Sequence, residues 1–135
     1  MIMEKSDVVK AFNKHFMELW DDIVLIFPDD QDMKAARLGI RGLMTVSSNS
    51  IYKVYKNYVY DHYRLKIEEG DLDYFLNKQY DHDLRNMDQS VLSKIDALRA
   101  PITKMGDGNK AKVIKYMQNL CALVTTAESL QQEDH

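Results

Sequence analysis

Four histidines (His15, His62, His82 and His135) and the single cysteine, Cys121, are the side chains of this chain most able to move a proton, attack an electrophile or hold a metal. Their spacing supports none of these roles. A di-iron centre in a helical bundle needs Glu-x-x-His pairs, because that spacing aims two ligands inward from one turn. No histidine here has Glu or Asp three residues before it, and neither His-x-x-x-His nor His-Glu-x-x-His occurs. The acidic clusters Asp29/Asp30/Asp32 and Asp71/Asp73 lack the glycine and the closing bidentate glutamate of a calcium loop. Asp81-His82-Asp83 flanks an imidazole with carboxylates, but adjacent loop residues rarely converge on one point, so it reads as a solvated loop. His15 and His62 lie on or beside apolar stripes and read as core histidines. Cys121 falls on the apolar face of its segment and reads as an inert buried thiol. No catalytic residue, metal ligand, cofactor or small-molecule substrate is expected.

Phosphate chemistry leaves equally little. There is no Gly-x-x-x-x-Gly-Lys-Ser/Thr, no Gly-x-Gly-x-x-Gly after a strand and no Gly-x-Ser-x-Gly elbow. Gly106-Asp107-Gly108 could cradle an anion before a helix, yet the same residues make an ordinary interhelical turn. Two surface features remain. Tyr52, Lys53, Lys56, Tyr60 and Tyr63 project away from the apolar stripe of their segment, a composition suited to protein contacts or to base stacking beside phosphates. The competing reading buries this face under the segment around Tyr74 and Phe75. The second feature is a basic stretch, Arg99, Lys104, Lys110, Lys112 and Lys115 against the lone acid Asp107, which follows an acidic stretch from Asp71 to Asp88. Such polarity suits a phosphate-bearing ligand or contacts between copies.

The elements that must carry these residues are helical. Val8, Phe12, Phe16, Leu19, Trp20, Ile23, Ile26 and Phe27 share one stripe at a helical period, with Lys10, Lys14, Glu18 and Asp21 opposite. Ser6 or Asp7 is placed to cap this helix, and Pro28-Asp29-Asp30 to end it and cap the next. The second helix, about Asp32 to Val46, has Met33, Ala36, Ile40, Leu43 and Met44 on one face and Ala35, Gly39, Gly42 and Val46 on another. Two interior glycines weaken a helix by about 1 kcal/mol each. A close helix crossing on the small-residue face would offset this and make the helix a central, two-sided one.

Ser47 to Ser50 reads as a turn, and Ile51 to Glu69 as a long helix stopped by Gly70, with a stripe of Ile51, Val54, Tyr55, Tyr58, His62 and Leu65. Asp71 is placed to cap a short helix holding Leu72, Tyr74, Phe75 and Leu76, with Tyr80 to Asp83 as its exit loop. From Leu84 the apolar phase runs through Met87, Val91, Ile95, Leu98, Ile102 and Met105, either as core or as a seam between copies. Pro101 should kink or break it. Gly106 to Asn109 reads as a loop. Val113, Ile114, Met117, Leu120, Cys121 and Val124 mark the last helix, and residues 131–135 a frayed tail.

Length and composition set the frame. At 135 residues, one domain spanning 1–135 is expected, with roughly two-thirds of its unfolded surface buried. Hydrophobic residues at 45% and charged residues at 29% fit a globular chain rather than a disordered one. A net charge of −3 gives no global field to recruit nucleic acid, and one cysteine excludes an internal disulfide. The longest apolar run, Ile23 to Phe27, is far short of the roughly 20 residues that span a bilayer. The opening residues show no apolar leader. An intracellular setting without membrane contact is expected.

Five stretches then carry a resemblance: Phe12-Asn13-Lys14-His15-Phe16, Phe27-Pro28-Asp29-Asp30, Gly70-Asp71-Leu72-Asp73-Tyr74-Phe75-Leu76, Leu98-Arg99-Ala100-Pro101-Ile102 and Tyr116-Met117-Gln118-Asn119-Leu120. With them the chain resembles small uncharacterised all-helical proteins encoded by large nucleocytoplasmic DNA viruses of algae and protists. These motifs are packing, capping and turn residues. The resemblance therefore implies a fold and a viral setting (infected-cell cytoplasm or virion), and no activity. The expectation is an all-α compact bundle of five or six helices. It works as a non-enzymatic binding or structural protein, through a protein partner or self-association at the tyrosine face. The alternative is nucleic-acid binding through the basic stretch and the outward tyrosines.

Overall fold

The computed structural model describes residues 4–77 and 97–133. Helix α1 spans Lys5–Ile26, α2 Gln31–Val46, α3 Ser50–Tyr55, α4 Asp61–Glu68, α5 Leu72–Asn77, α6 Arg99–Thr103 and α7 Asp107–Glu133. A π-helical turn, Lys56–Tyr60, joins α3 to α4 without a break, so these two form one rod. Counted that way, the described residues form six helices and no strand, the all-α bundle that the periodicity predicts.

The helix ends follow local chemistry, with some shifts from expectation. Helix α1 starts earlier than Ser6 or Asp7, because Glu4 and Asp7 form a reciprocal capping box around its first turn. Asp30 caps α2 by accepting from Met33 N at 3.0 Å, and Asp71 caps α5 by accepting from Tyr74 N at 3.1 Å. Gly70, at φ +82°, ends α4 in the left-handed conformation that glycine tolerates. Pro101 is the third residue of α6, where its missing N–H leaves no ladder bond unmade. Asp107 to Asn109, expected as loop, are already the first turn of α7. At its other end α7 continues to Glu133, so the expected tail begins later than residue 131. Tyr80 to Asp83 and the stripe from Leu84 to Ile95 lie outside the described residues.

The scaffold is the pair α1 and α7. They run antiparallel: Lys5 Nζ lies 3.4 Å from Glu128 Oε2 at one end, and Tyr116 bonds Asp22 near the other. The rod from α3 to α4 packs across both and puts Phe12 edge-on to Tyr52 and Tyr55, at 5.5 and 5.3 Å between ring centres. Phe12, Phe16 and Trp20 of α1, Ile51, Val59 and Ile67 of the rod, and Leu120 and Val124 of α7 are all fully buried.

Helix α2 departs from expectation. It buries Met33 and Ile40 against the core, but the opposite face is open to solvent rather than crossed by another helix. A Cβ on Gly42 would meet nothing within 4 Å, and Leu38 and Val46 are 63% and 87% exposed. The helix is peripheral and one-sided. It docks on α1 at its core face, with Arg37 Nε 2.6 Å from Asp21 Oδ1 beside it.

The rod departs more instructively. The expected stripe Ile51, Val54, Tyr55 holds as far as the π turn and then slips by one residue. The buried positions are then Val59 within the turn and Tyr63 and Ile67 beyond it, while His62 is exposed and Leu65 is 63% exposed. A π turn holds one more residue than an α turn, so everything after it is rotated relative to a 3.6-residue period.

Candidate functional site

The π turn and the C-terminal half of α7 together decide the fate of the tyrosine face, which is mostly inside. Tyr52 is buried, and its Oη donates to Glu128 Oε2 at 2.6 Å. Burial first and the Glu128 bond second push its hydroxyl far above the ordinary tyrosine range. Tyr63 is buried, with Tyr74 of α5 edge-on at 6.0 Å, the packing under the short helix that was the competing reading. Tyr60 is half-buried, its Oη 2.7 Å from Thr125 Oγ1 of α7. Lys56 pairs with Asp61 at 3.2 Å, and only Lys53 is fully exposed. The five residues do not form a free surface, because helix phase and the partner helix α7 turn the tyrosines inward.

The basic stretch is divided as well. Arg99 is half-buried on α6, and Lys104 is exposed at its C-terminal end. On α7, Lys112 and Lys115 share a face, whereas Lys110 sits two residues before Lys112 and so on the opposite side of the helix. The five cations form no single stripe.

Lys112 and Lys115 line the feature that the sequence reading missed. The outer seam between α1 and α7 carries three overlapping hollows of about 210, 370 and 500 Å³. The first two share Asp22, Lys112 and Tyr116, and the last two share His15, Glu18 and Asn119. They therefore make one continuous groove from Ile26 to Ala11, a length of about 22 Å at the helical rise per residue. Its two ends are apolar. Ile23, Val113 and the exposed Leu25 and Ile26 stand at one, and Ala11, Ala122 and Leu123 at the other.

The middle is polar and bridged. Tyr116 donates its hydroxyl to Asp22 across the seam; that bond first, and burial second, raise the Tyr116 pKa to about 12. The His15 ring lies 4.8 Å from the Tyr116 ring. His15 Nδ1 is 3.7 Å from Glu18 Oε1, and its Nε2 is buried with no hydrogen-bond partner among the described residues. Burial shuts that nitrogen away from any substrate, so it is not placed as a general base.

Other chemistry is sparse. Among the described residues no group of three or more His, Cys, Asp or Glu gathers where a metal ion could sit. Cys121 is buried beside Tyr55 Oη at 3.8 Å, and desolvation raises its thiol to about 11, partly offset by that contact. A second hollow of about 400 Å³ lies over the exposed side of α4, between Tyr60 and Arg64 on one flank and Lys66 and Tyr74 on the other. Its charges are balanced locally: Arg64 by Glu68, Lys66 by Glu69, and the lining carboxylate Asp61 by Lys56. No helix among the described residues is long and apolar enough to cross a membrane.

The groove escaped the sequence reading because Ala11, Lys14, Glu18, Asp22 and Leu25 look like the ordinary solvent face of an amphipathic helix, and His15 reads as a core histidine beside the apolar stripe. Only the docking of α7 alongside converts that face into one wall of a channel. No family model, no curated protein and no solved structure matches the chain.

Proposed function

We propose that this chain is a non-enzymatic helical binding protein that acts through protein–protein contacts, and that the α1/α7 groove receives a helix of its partner. One observation carries the reading. Two long antiparallel helices are covered on their inner side by the α3–α4 rod, and on their outer side they leave an open channel with Leu25 76% exposed at its mouth. A groove between two helices with apolar ends is the receiving half of helix-in-groove recognition. Exposed leucine and isoleucine rimmed by polar groups is what a docking surface presents before it is covered. A structural or accessory role in a viral setting rests on the sequence resemblance alone.

Nucleic-acid binding has less support. Stacking needs open aromatic faces, whereas Tyr52 and Tyr63 are buried and the Tyr116 ring is packed against His15. The test is selection of displayed helical peptides on the purified protein, with binding mapped by backbone amide shifts. Shifts centred on Leu25, Ile26, Val113 and Lys112 are expected. Peptides that map elsewhere, or a labelled mixed-sequence oligonucleotide that binds with a steep salt dependence while no peptide does, would overturn the reading.

A further inference from the structure

We infer that the occupant of the groove is an acidic amphipathic helix about 15 residues long, with an apolar anchor near each end and carboxylates between them. The inference rests on the reading of the groove as a helix-docking site, and adds the partner's chemistry. Length comes from the channel, which is about 22 Å long and so matches four turns of helix. The anchors follow from its two apolar ends, Leu25 with Ile26 at one and Leu123 at the other.

Charge decides the rest. Lys14, Lys112 and Lys115 line the channel, and none of them makes an ion pair among the described residues. Of the two carboxylates on the same walls, Asp22 already accepts the Tyr116 hydroxyl, and Glu18 lies 3.7 Å from His15 Nδ1, beyond hydrogen-bond distance. A docking helix therefore meets three ammonium groups without an ion pair among the described residues against two carboxylates, one of them turned toward an internal partner, so the lining is net positive. A basic helix would place like charges against the lysines, and an apolar one would strip their water without replacing it. Acidic side chains between the anchors answer both.

The test is the charge of the selected helices. A display library randomised at the surface positions of a helical peptide is selected on the full chain. It is then selected again on Leu25→Asp and on the double variant Lys112→Glu/Lys115→Glu. All three substitutions are at exposed positions, and circular dichroism confirms that each variant folds. Selected helices are expected to be net acidic, to lose about tenfold in affinity for Leu25→Asp, and to weaken about threefold or more for the double variant. The double variant should in turn select basic helices. If neutral or basic helices dominate on the unaltered chain while Leu25→Asp still abolishes binding, the groove reading stands and the acidic partner is wrong. If Leu25→Asp changes nothing, both fail. If no helix is selected and the chain self-associates through a Leu25-dependent contact, a second copy is the occupant and the acidic helix is again overturned.

Discussion

Tyr52 Oη donates a 2.6 Å hydrogen bond to Glu128 Oε2 across 76 residues of sequence, tying the start of α3 to the last turns of α7. Lys5 Nζ approaches the same carboxylate oxygen at 3.4 Å from the first turn of α1. Three helix ends thus meet on one carboxylate. Burial disfavours the ionised Glu128, but the Tyr52 bond and the Lys5 charge together outweigh it and hold its pKa below the ordinary glutamate value.

Removing the Tyr52 hydroxyl therefore has a pH signature. Because the Glu128 pKa is lowered in the folded chain, its contribution is present above the unfolded glutamate pKa of about 4.3 and is lost as pH falls through the folded value. Tyr52→Phe should reduce stability by about 1 kcal/mol at neutral pH, the size of one partly exposed hydrogen bond. The difference from the unaltered chain should shrink as the pH drops below about 4. Urea unfolding of both proteins across that range measures it, and a difference independent of pH would remove Glu128 from the explanation.

At the alkaline end the sign reverses. The Tyr116 pKa is raised to about 12, so its contribution is complete below the unfolded tyrosine pKa of about 10 and disappears as pH rises through the folded value. Tyrosinate absorbance should show a fraction of the phenols ionising only at the top of this range or on unfolding. Tyr116→Phe should lose less stability than the unaltered chain over the same interval.

The π turn offers a prediction that ordinary helix logic would reject. Deleting Asn57, an exposed residue within Lys56–Tyr60, removes the extra residue of the wide turn and leaves both flanking segments in register. The rod should become continuous α-helix and stay within about 1 kcal/mol of the parent stability. Deleting Asn13 from α1 rotates every later core residue of that helix by about 100° and should prevent cooperative folding. Thermal melts followed by circular dichroism separate the two outcomes; equal damage from both deletions would show that the π turn is not a removable insertion.

Gly42 gives the clearest gain. Its Cβ direction is empty within 4 Å, and it lies inside α2 with no positive φ. Gly42→Ala should raise stability by about 0.5–1 kcal/mol by restricting the unfolded chain and improving helix propensity. Destabilisation instead would mean that a Cβ at residue 42 meets neighbouring atoms of the chain and that this face of α2 is not open.

The sequence by itself determined the all-helical class, most helix limits, and the core of α1 and α7. Phe12, Phe16, Trp20, Leu120 and Val124 recur at a period that admits one buried face, and Asp30, Gly70 and Asp71 are local signals that need no distant partner. What depended on neighbours did not come through. A period of 3.6 residues cannot report a π turn, so His62 and Leu65 read as core and Tyr63 as surface when the reverse holds. Small residues at Gly39 and Gly42 mark where a helix could approach, not whether one does, and in α2 that face is open. Lys112 and Tyr116 belong to one helix and His15 and Asp22 to another almost a hundred residues earlier. Only the antiparallel docking of α1 on α7, driven by the buried faces behind them, brings the four together into the groove.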